Sequence, residues 1–321
     1  MEDGRELVVV FGPCGNVGKE LLPLLLEQRA RLRLRLAYHQ KKPDVTEEEG
    51  VECVQASFDS VEAVAVALQG NPDRIVFMLP TVVGIHPMTK NFVEAVKSAC
   101  LSSLKQIVMV TECVPVSVVL QKTSFYREVS QVFREVANSG LPFTQLEPCC
   151  FLQDWLLFFG LLEFLKVGCP NDSTFSLAAS PNRGVQWIDV RDVAEAVTSV
   201  LEQPPEKNVG RHFHLVGDPG RTVSECLVAV STLLGHRIRY QQMPVEDAIA
   251  LFKGLGMPEW MANDFPNIFR NLPAFLEGVD SSDLQGLLRN NRKPYSMEEF
   301  FAHYKQVFLD AYQAGQALKK D

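Results

Sequence analysis

Gly12, Gly15 and Gly18 follow directly on the apolar run Leu7-Val8-Val9-Val10-Phe11 and open a stretch that reads as a helix. A buried strand that ends in closely spaced glycines and continues as a helix presents backbone N–H groups to an anion, and the helix dipole adds to the attraction. The chemistry this predicts is the binding of a dinucleotide pyrophosphate. Gly12 makes the turn, Gly15 lets the backbone approach phosphate, and Gly18 lets the helix lie close to the sheet. Cys14, Asn16 and Val17 complete the predicted loop, whose spacing is GxxGxxG and not the commoner GxGxxG. A thiol beside a helix N-terminus tends toward a lowered pKa, which bound phosphate would oppose, so Cys14 reads first as a small residue in a tight loop.

In such a fold the end of the second strand faces the adenosine ribose. A carboxylate there binds the ribose hydroxyls of NAD, whereas basic residues favour the extra phosphate of NADP. The matching stretch is Tyr38-His39-Gln40-Lys41-Lys42, with no carboxylate before Asp44. It predicts NADP(H) in preference to NAD(H), with Lys41 or Lys42 on the phosphate and His39 nearby. Asp59, after the third strand, is placed either near the adenine or as a helix cap. Leu79-Pro80-Thr81 is expected to run along the adenosine half toward the pyrophosphate, and Thr111 to point at the nicotinamide.

These residues need a scaffold, and the first half of the chain supplies an alternation of apolar strands and helices. Strands are predicted at 6–11, 32–38, 51–56, 74–79, 106–111 and 143–147, with helices at 16–29 (distorted at Pro23), 60–69, 87–100 and 124–138. That rhythm specifies an α/β fold, a Rossmann-type doubly wound parallel sheet. Residues 1–150 are read as the nucleotide-binding domain, with 186–216 returning to complete its core. Residues 151–185 and 217–321 form a smaller, mainly helical region on the substrate side of a shared cleft. Gly217-Asp218-Pro219-Gly220 is read as a turn, and Thr222 with Glu225 as a capping box.

Composition narrows the function classes. The chain has 321 residues, a net charge of -8 and 22% charged residues, so nothing argues for a nucleic-acid partner. The run Arg31-Leu32-Arg33-Leu34-Arg35 alternates as the polar face of a strand. The first apolar stretch is too short for a signal core or a membrane span, and Asp154, Glu163 and Lys166 interrupt the greasiest window, 151–167. Cytosol is the expected compartment. None of the eight cysteines forms a CxxC pair, so no metal site is predicted.

The whole pattern resembles the NmrA-like group of atypical short-chain dehydrogenases/reductases. The resemblance rests on the glycine loop, Phe58-Asp59, the helix beginning Asn91-Phe92, the strand Lys105–Thr111 and above all Asn138-Ser139-Gly140-Leu141-Pro142-Phe143-Thr144-Gln145-Leu146-Glu147-Pro148, in which Glu147 replaces the usual arginine. Ile188-Asp189-Val190-Arg191-Asp192 also matches. The resemblance implies NAD(P)H-sensing regulators or quinone-reductase-like enzymes. Short-chain reductases generally use Ser or Thr, Tyr and Lys, and Thr111 and Tyr126 are the catalytic candidates here. Four residues after Tyr126, however, stands Ser130 where lysine is expected, and Val129 and Phe133 occupy the other positions where atypical members place acid–base groups.

In the family the residues after the sixth strand form part of the nicotinamide and substrate cleft, which brings in Cys149 and Phe151. Phe151 and Trp155 are candidates to stack on an aromatic ligand, with Gln153 as a hydrogen-bond donor. The adjacent thiols Cys149 and Cys150 are either redox-active or neighbours by chance. His86 is placed near the phosphates or in solvent, and His212 and His214 on an exposed strand face or as a pH-sensitive pair. The aromatic stripe at 252–269 is read first as core, with a substrate lid or a partner surface as the alternatives. Two functions follow: reduction of a quinone or similar small apolar or aromatic electrophile by direct hydride transfer, or a non-catalytic NADPH sensor whose contacts with a regulatory protein partner depend on occupancy. Oligomeric state is not encoded in any of these features.

Overall fold

The structure is a computed structural model that describes residues 4–47, 50–80, 82–113, 122–157, 159–271 and 281–318. The first half runs β1 (Glu6–Phe11), α1 (Asn16–Leu26), β2 (Leu32–Tyr38), β3 (Val51–Gln55), α2 (Val61–Ala65), β4 (Arg74–Met78), α3 (Ile85–Ser98), β5 (Gln106–Val110), α4 (Ser124–Ser139) and β6 (Phe143–Pro148). There follow β7 (Cys150–Phe151), α5 (Asp154–Leu157), α6 (Leu161–Lys166), α7 (Pro170–Ser173), β8 (Thr174–Leu177), β9 (Val185–Ile188), α8 (Val190–Glu202), β10 (His212–Leu215), β11 (Asp218–Arg221), α9 (Val223–Leu234) and β12 (Arg239–Gln242). The remainder is helical: α10 (Val245–Gly254), α11 (Glu259–Asn271), α12 (Ser282–Leu287), α13 (Met297–His303) and α14 (Lys305–Leu318).

Seven strands form one parallel sheet in the order β10-β6-β5-β4-β1-β2-β3. Strands covered on both faces need continuous apolar runs, and every residue of β4 and β5 is buried. β2 keeps the alternation seen in its sequence: Leu32, Leu34 and Leu36 are buried, while Arg35 reaches out to Glu52 at 2.6 Å. The expected α/β architecture and doubly wound parallel sheet are present, with additional helical elements toward the C-terminus. From β1 the chain moves outward through β2 and β3, then returns to β4 and proceeds the other way. The strand order therefore reverses between β1 and β4, where carboxyl ends open a crevice suited to a ligand.

Two element readings change. The 217–220 segment is not only a turn: Asp218–Arg221 pairs antiparallel with β9, which also pairs parallel with β7. Gly217 sits where a Cβ would come 2.7 Å from the Trp187 carbonyl oxygen, so turn-type residues serve there to bring two backbones together. Helix α1 ends at Leu26, three residues short of the predicted limit, and it continues past Pro23. The capping box on α9 is present, with Thr222 and Glu225 bonded reciprocally.

Candidate functional site

The glycine loop sits at that crevice. Gly12 has φ +88°, a left-handed conformation open to glycine at little cost, and its N–H donates to the Ala37 carbonyl at 3.4 Å. Gly15 is the N-cap of α1 and has no side chain to satisfy the first-turn N–H groups, which leaves them for an anion. A Cβ on Gly18 would stand 2.2 Å from the Gly12 carbonyl oxygen, so α1 approaches the loop as closely as only glycine permits. The three glycines thus differ in what demands them: dihedral angle, open space and backbone contact.

From this loop a cleft of about 610 Å³ runs across the carboxyl ends of the strands. Gly12, Gly15, Asn16, Val17, Gly18, His39, Asp59, Leu79, Pro80, Thr111, Tyr126, Cys149 and Phe151 all line it. Cys14, Lys41 and Lys42 do not line it. The Cys14 thiol donates to the Lys41 carbonyl at 3.1 Å, and the Lys42 ammonium is bonded to Glu47. Thr81 lies outside the described residues. At the adenosine end His39 Nε2 lies 3.9 Å from Asp59 Oδ2. The turn carrying Asp59 is fixed by Asn91, whose side chain donates to the Phe58 carbonyl at 2.9 Å. Phe58, which lines the cleft, packs edge-on against Phe77, and Phe77 stacks on Phe92 with ring centroids 4.0 Å apart.

Toward the other end the lining becomes apolar. Phe151, Phe159, Phe265, Ile268 and Phe269 line the cleft, so part of the 252–269 stripe is buried core, as the sequence suggested, and cleft wall at the same time. Trp155 and Gln153 turn away from it. Trp155 is fully buried and packs on Trp187 with ring centroids 5.8 Å apart. Gln153 donates to Asp189 at 3.1 Å and accepts from the Val190 N–H, so its amide is spent on holding α8. His86 lies 3.8 Å from Glu135 and does not line the cleft.

Tyr126 is buried in the first turn of α4, where Thr123 caps the helix by accepting the Tyr126 N–H. Burial, followed by the nearby Glu112, pushes the Tyr126 hydroxyl well above its ordinary pKa. Ser130, in the position expected for lysine, donates its hydroxyl to the Tyr126 carbonyl at 2.9 Å. The neighbouring thiols are similarly suppressed: burial raises Cys149 to about 12 and Cys150 well above the ordinary thiol range. All cysteines described are free.

Two carboxyls that sequence reading left unassigned, Glu112 and Asp154, also line the cleft. Glu112 immediately follows Thr111, and Asp154 opens α5. Asp154 is pushed well above its ordinary range by burial first and by Glu112 second, while the Phe151 N–H opposes the shift. No spacing rule joins residues so far apart, and the adjacency of β5 and β6 is what brings both to one cleft.

Among the described residues, no helix is long and apolar enough to cross a membrane. The chain is 25% identical over 276 residues to an NAD(P)H azoreductase of Xenophilus azovorans, covering 85% of this chain and 90% of that protein. A structure of the NADPH-dependent quinone oxidoreductase of Escherichia coli complexed with NADPH superposes with a TM-score of 0.73 at 18% identity, over 92% of this chain and 99% of that one. A nucleoside-diphosphate-sugar epimerase of Staphylococcus aureus gives a TM-score of 0.75 at 17% identity, over 91% and 98% of the two chains. The family model described as the NmrA-like family matches residues 4–301. With nearly its whole length matched, the chain belongs to the NmrA-like family.

Proposed function

We propose that this protein binds a nicotinamide dinucleotide along the cleft and reduces a small apolar or aromatic acceptor, such as a quinone, at its apolar end. The observation that carries this reading is the continuity of one cleft from a side-chain-free helix N-terminus to a wall of Phe151, Phe159, Phe265 and Phe269. The residues fit the group: Gly15 leaves room for phosphate, and a Cβ there would meet only the Gly12 carbonyl oxygen, at 3.4 Å. When bound, the nicotinamide supplies a hydride. The protein's part is to hold the diphosphate on the α1 N–H groups, to set Thr111 and Tyr126 beside the reacting end, and to exclude water with aromatic walls. The names of the azoreductase and quinone oxidoreductase relatives support the same class of acceptor.

NADP(H) is the preferred form in this reading. Because Glu47 already holds Lys42, the preference rests mainly on Lys41 and His39. A second reading is favoured by one observation, the serine hydroxyl that replaces a lysine after Tyr126. In that reading the protein is a sensor, and a regulatory protein partner distinguishes the occupied from the empty cleft. Oxidation of NADPH on addition of 1,4-naphthoquinone separates the two. Turnover supports the reductase, whereas tight cofactor binding with no acceptor-dependent oxidation supports the sensor.

A further inference from the structure

We propose that Asp154, set against Glu112 at the apolar end of the cleft, is the proton donor to the bound acceptor. This rests on the reductase reading above. A neutral acceptor that takes a hydride becomes an anion, and a proton must be delivered to it from within the cleft or from solvent. Among the described residues, the protic side chains at that end are Thr111, Glu112, Tyr126, Cys149, Cys150 and Asp154. No lysine or arginine lines the cleft among the described residues.

With no lysine or arginine among the described lining residues, burial acts in one direction on Tyr126, Cys149, Cys150 and Asp154: it favours the protonated form. The consequence depends on where each group starts. A phenol or thiol begins above neutrality, so burial carries Tyr126, Cys149 and Cys150 further from the range in which a proton is readily given up. A carboxyl begins in the acid range, so the same burial carries Asp154 toward the operating pH, where an acid donates most effectively. The environment that disables the tyrosine therefore equips the aspartate.

Placement agrees. Glu112 leaves the end of β5, Asp154 follows the end of β6 by way of β7, and β5 and β6 are neighbours in the sheet. Among the described residues, Tyr126 from α4 and Cys150 from β7 are the other titratable groups facing Asp154. Helix α11 presents only apolar residues to the cleft, and its Asp264 accepts the Phe125 N–H at 3.1 Å instead. The Phe151 N–H steadies the Asp154 carboxyl. Glu112 is a positioning residue whose charge helps keep the proton on Asp154.

In the step, the acceptor gains a hydride from the reduced nicotinamide, and the oxygen that receives the electron pair forms an O–H bond as the Asp154 O–H bond breaks. Solvent returns a proton to the Asp154 carboxylate after product leaves. The protein oxidises one reduced nicotinamide and consumes one solvent proton per acceptor.

The test combines cofactor-free spectroscopy with turnover. Infrared difference spectra of the cofactor-free protein at neutral pH should show a protonated carboxyl band that Asp154→Asn removes and that Glu112→Gln shifts to titrate at lower pH. With 1,4-naphthoquinone, D154N should lose roughly a hundredfold in kcat and the decline of rate with rising pH. Asp154→Glu should recover part of both. With a cationic acceptor, whose hydride adduct is neutral, the loss should be at least about tenfold smaller, a split that general misfolding would not produce. Absence of the band, or a D154N rate and pH profile equal to wild type, overturns the proposal and leaves the reductase reading standing. If wild-type protein reduces neither acceptor, both fall together.

Discussion

Glu147 Oε1 lies 2.8 Å from His212 Nδ1, and the other carboxyl oxygen lies 3.2 Å from His214 Nδ1, so one buried carboxyl on β6 holds both histidines of the edge strand β10. The outer side of the pair is partly exposed, as the alternation suggested, but the inner side is bound. Asp283 of α12 accepts the His214 N–H at 3.0 Å and ties a C-terminal helix to the same strand. Burial raises the Glu147 carboxyl above its ordinary range, and the two imidazoles oppose that shift. A raised acid contributes stability that is complete below its ordinary pKa and is lost as pH rises through the raised value. Glu147→Gln removes this titration and the charge that lies beside both imidazoles. It should cost about 1–3 kcal/mol in the mildly acidic range, and the gap to wild type should narrow toward neutral pH in urea titrations.

The glycine loop predicts a contrast between two alanine variants. Gly18→Ala places a Cβ against backbone atoms, 2.2 Å from the Gly12 oxygen and 2.8 Å from Pro13 Cα, so the loop or helix must move. Its thermal midpoint and its cofactor affinity should fall together. Gly15→Ala meets only an ordinary contact within the protein, so its thermal midpoint should stay near wild type while NADPH affinity drops by about tenfold or more. Calorimetry and thermal melts on the two proteins check the difference.

Arg292 carries the docking of the C-terminal segment onto α8. Its guanidinium lies 2.7 Å from the fully buried Asp192, which also accepts the Tyr295 N–H at 2.9 Å. Arg292→Leu leaves a buried carboxylate without its cation and should cost about 3–5 kcal/mol. Asp192→Asn combined with R292L should recover part of the loss in chemical denaturation.

The adenosine end predicts unequal lysines. Lys42 is bonded to Glu47, so Lys42→Ala should change the NADPH-to-NADH affinity ratio by less than about threefold. Lys41→Glu, which reverses the charge proposed to favour the ribose phosphate, should lower that ratio by about tenfold or more. Paired titrations with the two reduced cofactors provide the check.

The sheet was legible because parallel strands buried on both faces must be continuous apolar runs, and β4 and β5 are nothing else. The glycine loop was legible because one local segment carries the turn, the open space and the close approach. β11 was hidden because Gly217-Asp218-Pro219-Gly220 looks like a turn by composition, and only its distant partner β9 makes it a strand. Glu112 with Asp154, and Glu147 with His212, were hidden for a related reason. Each pair is joined by strand adjacency and not by local spacing. The cleft-facing role of Phe265 and Phe269 was equally unreadable, because helical periodicity marks an apolar face without saying whether protein or ligand covers it.

The proposed function stands on the diphosphate of a nicotinamide cofactor resting on the amino end of α1. Isothermal titration of the folded protein with NADPH tests it most directly, with G15A as the control. Saturable binding at one site per chain, weakened in G15A, is the predicted result. Folded wild-type protein that gives no binding heat with either NADPH or NADH, and no thermal stabilisation by them, would contradict it.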